Sequence, residues 1–167
     1  MRLWARTFDP LSIREPVKWN RRRTVLVVVL LLVSAIPIWW IASPLFIVTR
    51  GNEVPPEDAM TIVATGVVVD GEPGHRNSGD AILLTDGSRY VLRLENFSVT
   101  NGPDIHVFLS KGPKYAVGDV DLGSVKATQG SSDYDLPPTV DPRAYAYVII
   151  WCVPFSVQFG YAALTFR

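Results

Sequence analysis

From Thr61 onward the sequence is cut into short runs of β-branched and aromatic residues by turn-forming ones, a pattern that leaves room for little except antiparallel β-structure. Thr61 to Asp70 is rich in Val, Ile and Thr, and Asp70-Gly71 opens a turn region that runs through Pro73, Gly74 and Gly79. Asp80 to Thr85 reads as a second strand, and Asp86-Gly87 is a hairpin signal before Arg89 to Glu95. In that third strand Tyr90, Leu92 and Leu94 point one way and Arg89, Arg93 and Glu95 the other, with Val91 the exception. One face is then core and the other wet. Asn101-Gly102-Pro103-Asp104 turns the chain into Ile105 to Ser110; Val120 to Lys126 follows, and Gly130 to Thr139 reads as loop. Tyr145 to Val153 and Ser156 to Phe166 close the pattern. Such a series of about seven or eight strands suits an all-β, antiparallel Greek-key sandwich or barrel.

The first third differs. Thr24 to Val48 holds 25 residues without a charge, dominated by Val, Leu and Ile. A bilayer core of about 30 Å takes about 20 apolar helical residues, so this run predicts one N-terminal transmembrane helix ahead of the β domain. Pro37 would kink it, Pro44 would mark its outer end, and Trp39 and Trp40 would lie near the headgroups. Lys18, Arg21, Arg22 and Arg23 crowd one flank, against Arg50, Glu53, Glu57 and Asp58 on the other, which predicts a cytoplasmic N-terminus and a C-terminal domain outside the cell membrane. No Ala-x-Ala site follows the run, so the helix reads as an uncleaved, single-pass anchor. The expected organisation is a basic cytoplasmic arm over 1–23, the transmembrane helix over 24–48, a linker over 49–59 and the β domain over 60–167.

The chemistry the sequence offers runs through Cys152, the one cysteine in the chain. Val148-Ile-Ile-Trp151 leads into it and favours an extended strand buried on both faces, with Val148, Ile150 and Cys152 sharing one side. Pro154 cannot donate to a ladder and should end that strand just past the thiol. A lone cysteine cannot form a disulfide within its own chain. It is a small buried hydrophobe, a resting thiol, an intermolecular bridge or a ligand, and the sequence leaves these open. Trp151 and Tyr134 are assigned to the core as large rings that carry much of a small domain's burial.

Several further pieces stand in a telling order: His75 to Gly79, Asp86-Gly87-Ser88 with Val91 to Phe97, Thr100 to Asp104, and Val107 to Ser110. Asp121-Leu122-Gly123, Gly130, Tyr134 to Pro137, and Ile150-Trp151-Cys152 with Phe155 and Phe159 follow. Together, over about residues 60 to 167, these resemble the DM13 domain. The resemblance implies an extracytoplasmic all-β domain whose signature cysteine, here Cys152, serves redox or electron-transfer chemistry as a bare thiol or by holding a prosthetic group such as haem. Relatives in animals combine the domain with DOMON domains, whereas this chain carries one unit, so an electron partner would be a separate redox protein. For a bare thiol, a lowered pKa would need a cation nearby, with His75, Arg93, His106 and Arg143 as candidates by charge. For haem, Cys152 and His75 are the candidate ligands, with His106 behind them as a solvent-facing strand residue. No Cys-x-x-Cys-His is present, so covalent attachment of the c type is excluded.

Other chemistry fares less well. No Gly-x-Ser-x-Gly or zinc spacing occurs, so neither a hydrolase nor a metal site is expected. The aspartates from 104 to 141 do not fit a calcium loop and read as turn and capping residues. The acidic outer part disfavours nucleic acid. The rival reading is an extracellular protein-binding or adhesion module in which Cys152 is structural and loops 66–79 and 111–119 meet the partner.

Overall fold

In the computed structural model the described residues are 20–43, 48–53 and 60–167, and the chain parts into two compact units between Ile41 and Ala42. Most of the predicted N-terminal arm and linker lies outside the described residues. In the first unit, helix α1 (Arg21–Ala42) carries Pro37 inside it. The Asn20 carbonyl accepts from Arg23 N and Thr24 N at its start, and Ser34 Oγ donates back to the Leu31 carbonyl at 3.0 Å.

Among the described residues no helix is long and apolar enough to cross a membrane. This corrects the predicted transmembrane helix over 24–48, and with it the integral-membrane partner, the single-pass topology and the cell-membrane localisation. The uncharged run was counted to Val48, but α1 ends at Ala42 and spends its first three residues on arginine. At about 1.5 Å per residue the charge-free part from Thr24 to Ala42 rises roughly 28 Å, below the about 30 Å of a hydrocarbon core.

The second unit is one curled, mostly antiparallel sheet. Its strands are β1 (Arg50–Asn52), β2 (Thr61–Asp70), β3 (Asn77–Thr85), β4 (Tyr90–Val99), β5 (Ile105–Ser110), β6 (Val120–Ser124), β7 (Gln129–Asp135), β8 (Tyr147–Cys152), β9 (Val157–Ala163) and β10 (Thr165–Phe166). They lie in the order β1-β7-β4-β3-β2-β9-β8-β5-β6, with β10 beside β2. Strand β2 joins the two halves: its first part pairs with β3, and Val68 to Asp70 pair with β9. The expected Greek-key sandwich or barrel is thereby corrected to a half-barrel of continuous sheet, whose halves face one another as sandwich layers do. Ala64, Leu83, Leu92 and Leu94 from one half meet Val107, Leu109, Val148 and Ile150 from the other, all fully buried or nearly so.

Strand β7 falls where the sequence reads as loop. Its apolar signal is weak because the inward positions of the alternation are Ser132 and Tyr134. Gly130, its second residue, takes φ +113°, and a Cβ there would run into the Gly51 carbonyl of β1, which pairs parallel to β7. Strand β7 also explains Arg93, expected on a wet face but 4 % exposed. Its Nη1 donates to both Asp133 carboxylate oxygens at 2.9 and 3.0 Å, its Nη2 to the Glu53 carbonyl at 3.0 Å, and its Nε to Glu95 at 3.4 Å. The side chain of its cross-strand partner Asp133, with the Glu53 carbonyl, covers the guanidinium on the face that alternation assigned to solvent.

Arg93→Ala should lower the unfolding free energy by about 3 kcal/mol, because it strands a partly buried carboxylate. Arg89→Ala, which breaks solvent-exposed pairs with Asp86 and Asp135, should cost under about 1 kcal/mol. Urea denaturation of both variants checks the contrast.

Candidate functional site

Cys152 is the last residue of β8, opposite Ile105 of β5 and Val157 of β9. The period of two puts it inward beside Val148 and Ile150, and its exposure is 0 %. A strap from Asn101 to Asp104 closes over it. Sγ donates to the Pro103 carbonyl at 3.1 Å, and the next amide, Val153 N, donates to the Asp104 carbonyl at 3.1 Å. Asp104 takes φ +50° to make the turn, and Gly102 passes so close to the Phe159 ring that a Cβ would lie 2.7 Å from it. The four turn formers are thus the lid on the thiol as well as a turn.

Burial pushes the Cys152 thiol pKa up; the Phe155 backbone amide works against this, and the negative charge of Asp104 adds to it. At rest the sulfur is a neutral, sealed thiol. The expectation of a thiolate beside a cation is corrected, since the charge that bears on it is an anion. The four candidate cations are engaged elsewhere: Arg93 with Asp133, Arg143 over the Phe166 ring, His106 between two carboxylates, and His75 in a ring stack.

His75 stacks on Phe159 with centroids 3.9 Å apart and planes at 17°, and its Nδ1 is buried without a hydrogen-bond partner. Asn77 Nδ2 donates to the Phe159 carbonyl beneath. A haem held by Cys152 and His75 does not fit this arrangement. The sulfur points into packed hydrocarbon and is committed to Pro103, the imidazole lies flat on a core ring, and neither residue lines the cleft on the outer face of β8 and β9.

His106, expected to face solvent, is the centre of an ionic cluster with its side chain 19 % exposed. Nδ1 meets Asp121 at 2.9 Å; Nε2 meets Asp104 and Ser124 Oγ, each at 3.0 Å. Ser124, His106 and Asp121 have the contacts of a hydrolytic triad, but the second carboxylate changes the chemistry. With both ring nitrogens facing carboxylates the protonated imidazole is favoured, and in that form it has no lone pair with which to take a proton from Ser124. Burial disfavours that charge, yet the bonds to Asp121 and Asp104 outweigh it and raise the pKa. Asp121 also accepts from Gly123 N, whereas Asp119 and Asp141 keep the expected turn roles, accepting from Ala116 N and Arg143 N.

On the outer face the rings form a row the sequence did not announce. His106 lies 6.1 Å from Phe108, Phe108 meets Tyr115 edge-on at 5.0 Å, and Tyr115 stacks on Trp151 at 4.5 Å and 20°. Tyr134 is in the core as expected, 3 % exposed, its Oη accepting from Lys126 N at 3.0 Å and its pKa pushed up to about 12 by burial. Trp151 is not: it is half-buried on the outside, back to back with Cys152. Period two along β8 carried that signal, since the residue before an inward cysteine must face out.

A family model described as electron transfer DM13 matches residues 69–164. The chain belongs to the DM13 family. No curated protein matches it, and no solved structure does. Within the DM13 match the strap, the His106 cluster, the ring row and Cys152 all fall inside one stretch of chain, while α1 and β1 lie outside it.

The His106 pKa is higher in the folded DM13 domain than in the unfolded chain. The cluster therefore stabilises the domain fully below the unfolded value of about 6.5, and that stability is lost as pH rises through the raised folded value. Thermal unfolding followed across this window should show the melting temperature falling as pH rises above about 6.5; His106→Gln should flatten the dependence.

Proposed function

We propose that the DM13 domain is a redox module whose working group is the Cys152 thiol, reached when the strap 101–104 lifts. The observation that carries this reading is that Cys152 is the only sulfur of any kind between residues 69 and 164, the methionines being Met1 and Met60. The family description supplies electron transfer as the class of activity, and a thiol is a group that can take part in a two-electron couple. The chemistry is thiol–disulfide exchange with a separate protein that carries an accessible disulfide. On opening, Cys152 loses its proton to water and the thiolate attacks one partner sulfur. The Cys152–partner bond forms, the partner's own S–S bond breaks, and its second sulfur leaves as a thiolate that takes up a proton. The thiolate of a further thiol then attacks the partner's sulfur in the mixed disulfide, forming a new disulfide with the partner and releasing Cys152 as a thiolate that takes up a proton. The raised thiol pKa and the Pro103 bond keep the resting state inert.

The full burial of the sulfur favours a second reading, a binding module in which Cys152 is only core. Alkylation of the native chain with iodoacetamide separates the two. The redox reading predicts labelling far faster than global unfolding, and faster still in Asp104→Asn, which removes the anion that raises the thiol pKa and one of the two carboxylates on His106. Labelling at no more than the unfolding rate in both proteins would leave the binding module.

A further inference from the structure

The outer face of β8 and β9 carries a cleft of about 560 Å³, within the roughly 300–1,000 Å³ range of small-molecule sites. Its base is Trp151 with Tyr115 stacked on it, and Tyr161 continues the aromatic wall. Both rims are fastened to one residue, Gln158, itself 8 % exposed. On one side its backbone carbonyl accepts from Glu72 N at 2.9 Å, next to Gly71 N on the Phe159 carbonyl at 2.8 Å. On the other its side chain accepts from Tyr115 N at 3.3 Å and donates to the Pro113 carbonyl at 2.9 Å. The cleft is therefore built in advance, with a fixed width.

Its chemistry is selective. The Gln158 amide is committed to the rim by one bond at each of its two atoms, and the charged side chains left to a ligand are Glu72 and Lys114, beside the hydroxyls of Tyr115 and Tyr161. A flat conjugated ring suits the wall: it stacks on Trp151 and Tyr161 and needs one acceptor oxygen at its edge for the Lys114 ammonium. We propose that this cleft binds a planar ring of the quinone type. The assignment of a redox-active ring rests on the electron-transfer reading above; the stacking site does not. Trp151 and Cys152 are consecutive residues on opposite faces of one strand, so such a ring would sit against the back of the redox thiol's own strand.

Duroquinone tests this, because its fully substituted ring cannot add to a thiol. Titrated into the full chain and followed by ¹H–¹⁵N spectra, it should shift the Trp151 indole and the Tyr115 amide saturably. Trp151→Ala and Tyr115→Ala should each weaken binding at least about tenfold, and Lys114→Ala by a few-fold. Gln158→Ala, which touches no ligand atom, should weaken binding while Trp151→Phe restores most of it relative to Trp151→Ala. Dispersion of the remaining amide signals serves as the check that each variant is folded, and Tyr115, on a loop, stands in if Trp151→Ala is not. No saturable shift, binding indifferent to Trp151 and Tyr115, or tighter binding of a soluble oligosaccharide at the same signals would overturn the proposal. Quinone binding together with an inert Cys152 would remove the redox reading and leave this site; a reactive Cys152 without quinone binding would do the reverse.

Discussion

Strand β8 alternates, and at its last two residues that alternation divides the chemistry of the domain between two faces. Cys152 goes inward to the core with Val148 and Ile150, and Trp151 goes outward to Tyr115. Everything around this point follows from holding the strand end still. Strand β5 pairs along its whole length with β8, β9 pairs on the other side through a bulge, and the strap beyond β5's start seals the end with one sulfur bond and one amide bond. Loss of that register would slip every side chain to the wrong face, exposing the thiol and burying the tryptophan.

The strap couples the two polar features of the site. Pro103 holds the thiol proton, and the next residue, Asp104, does three things: its carbonyl takes the Val153 amide, its carboxylate binds His106, and its charge raises the thiol pKa. The cationic His106 in turn fixes the Asp104 side chain together with Asp121 on β6. A change in the charge of His106 therefore acts on the residue that covers Cys152. The link is local, through one shared carboxylate, and needs no motion of the sheet as a whole.

Much of this was legible in the sequence wherever one physical signal dominated. Strands β2 and β5 were bounded correctly because their β-branched runs end on Asp-Gly and on a Gly-Pro turn. Pro154 placed the end of β8 at Val153, one residue past its end at Cys152. Strand β7 was missed because Ser132 and Tyr134 bury faces that hydropathy reads as polar. Arg93 was misplaced for the same reason, since alternation gives a face but not the neighbour that covers it. The helix was overrun because an uncharged stretch reports composition, and α1 stops at Ala42 before the stretch does. The site divided likewise. Cys152 and the Asn-Gly-Pro-Asp turn were visible as residues, but their contact joins positions 49 apart in the chain. The His106 cluster and the Gln158 clasp join elements by side-chain reach, which spacing alone does not encode.

The central claim is that a sealed, neutral thiol in a folded DM13 domain exchanges electrons by brief local opening. Equilibrating the full chain in glutathione buffers of graded potential, then weighing the intact protein under native conditions, tests it directly. The account predicts one glutathione on Cys152, added and removed reversibly while the β-sheet circular dichroism stays unchanged. A chain that takes up no glutathione until the sheet itself unfolds would contradict it.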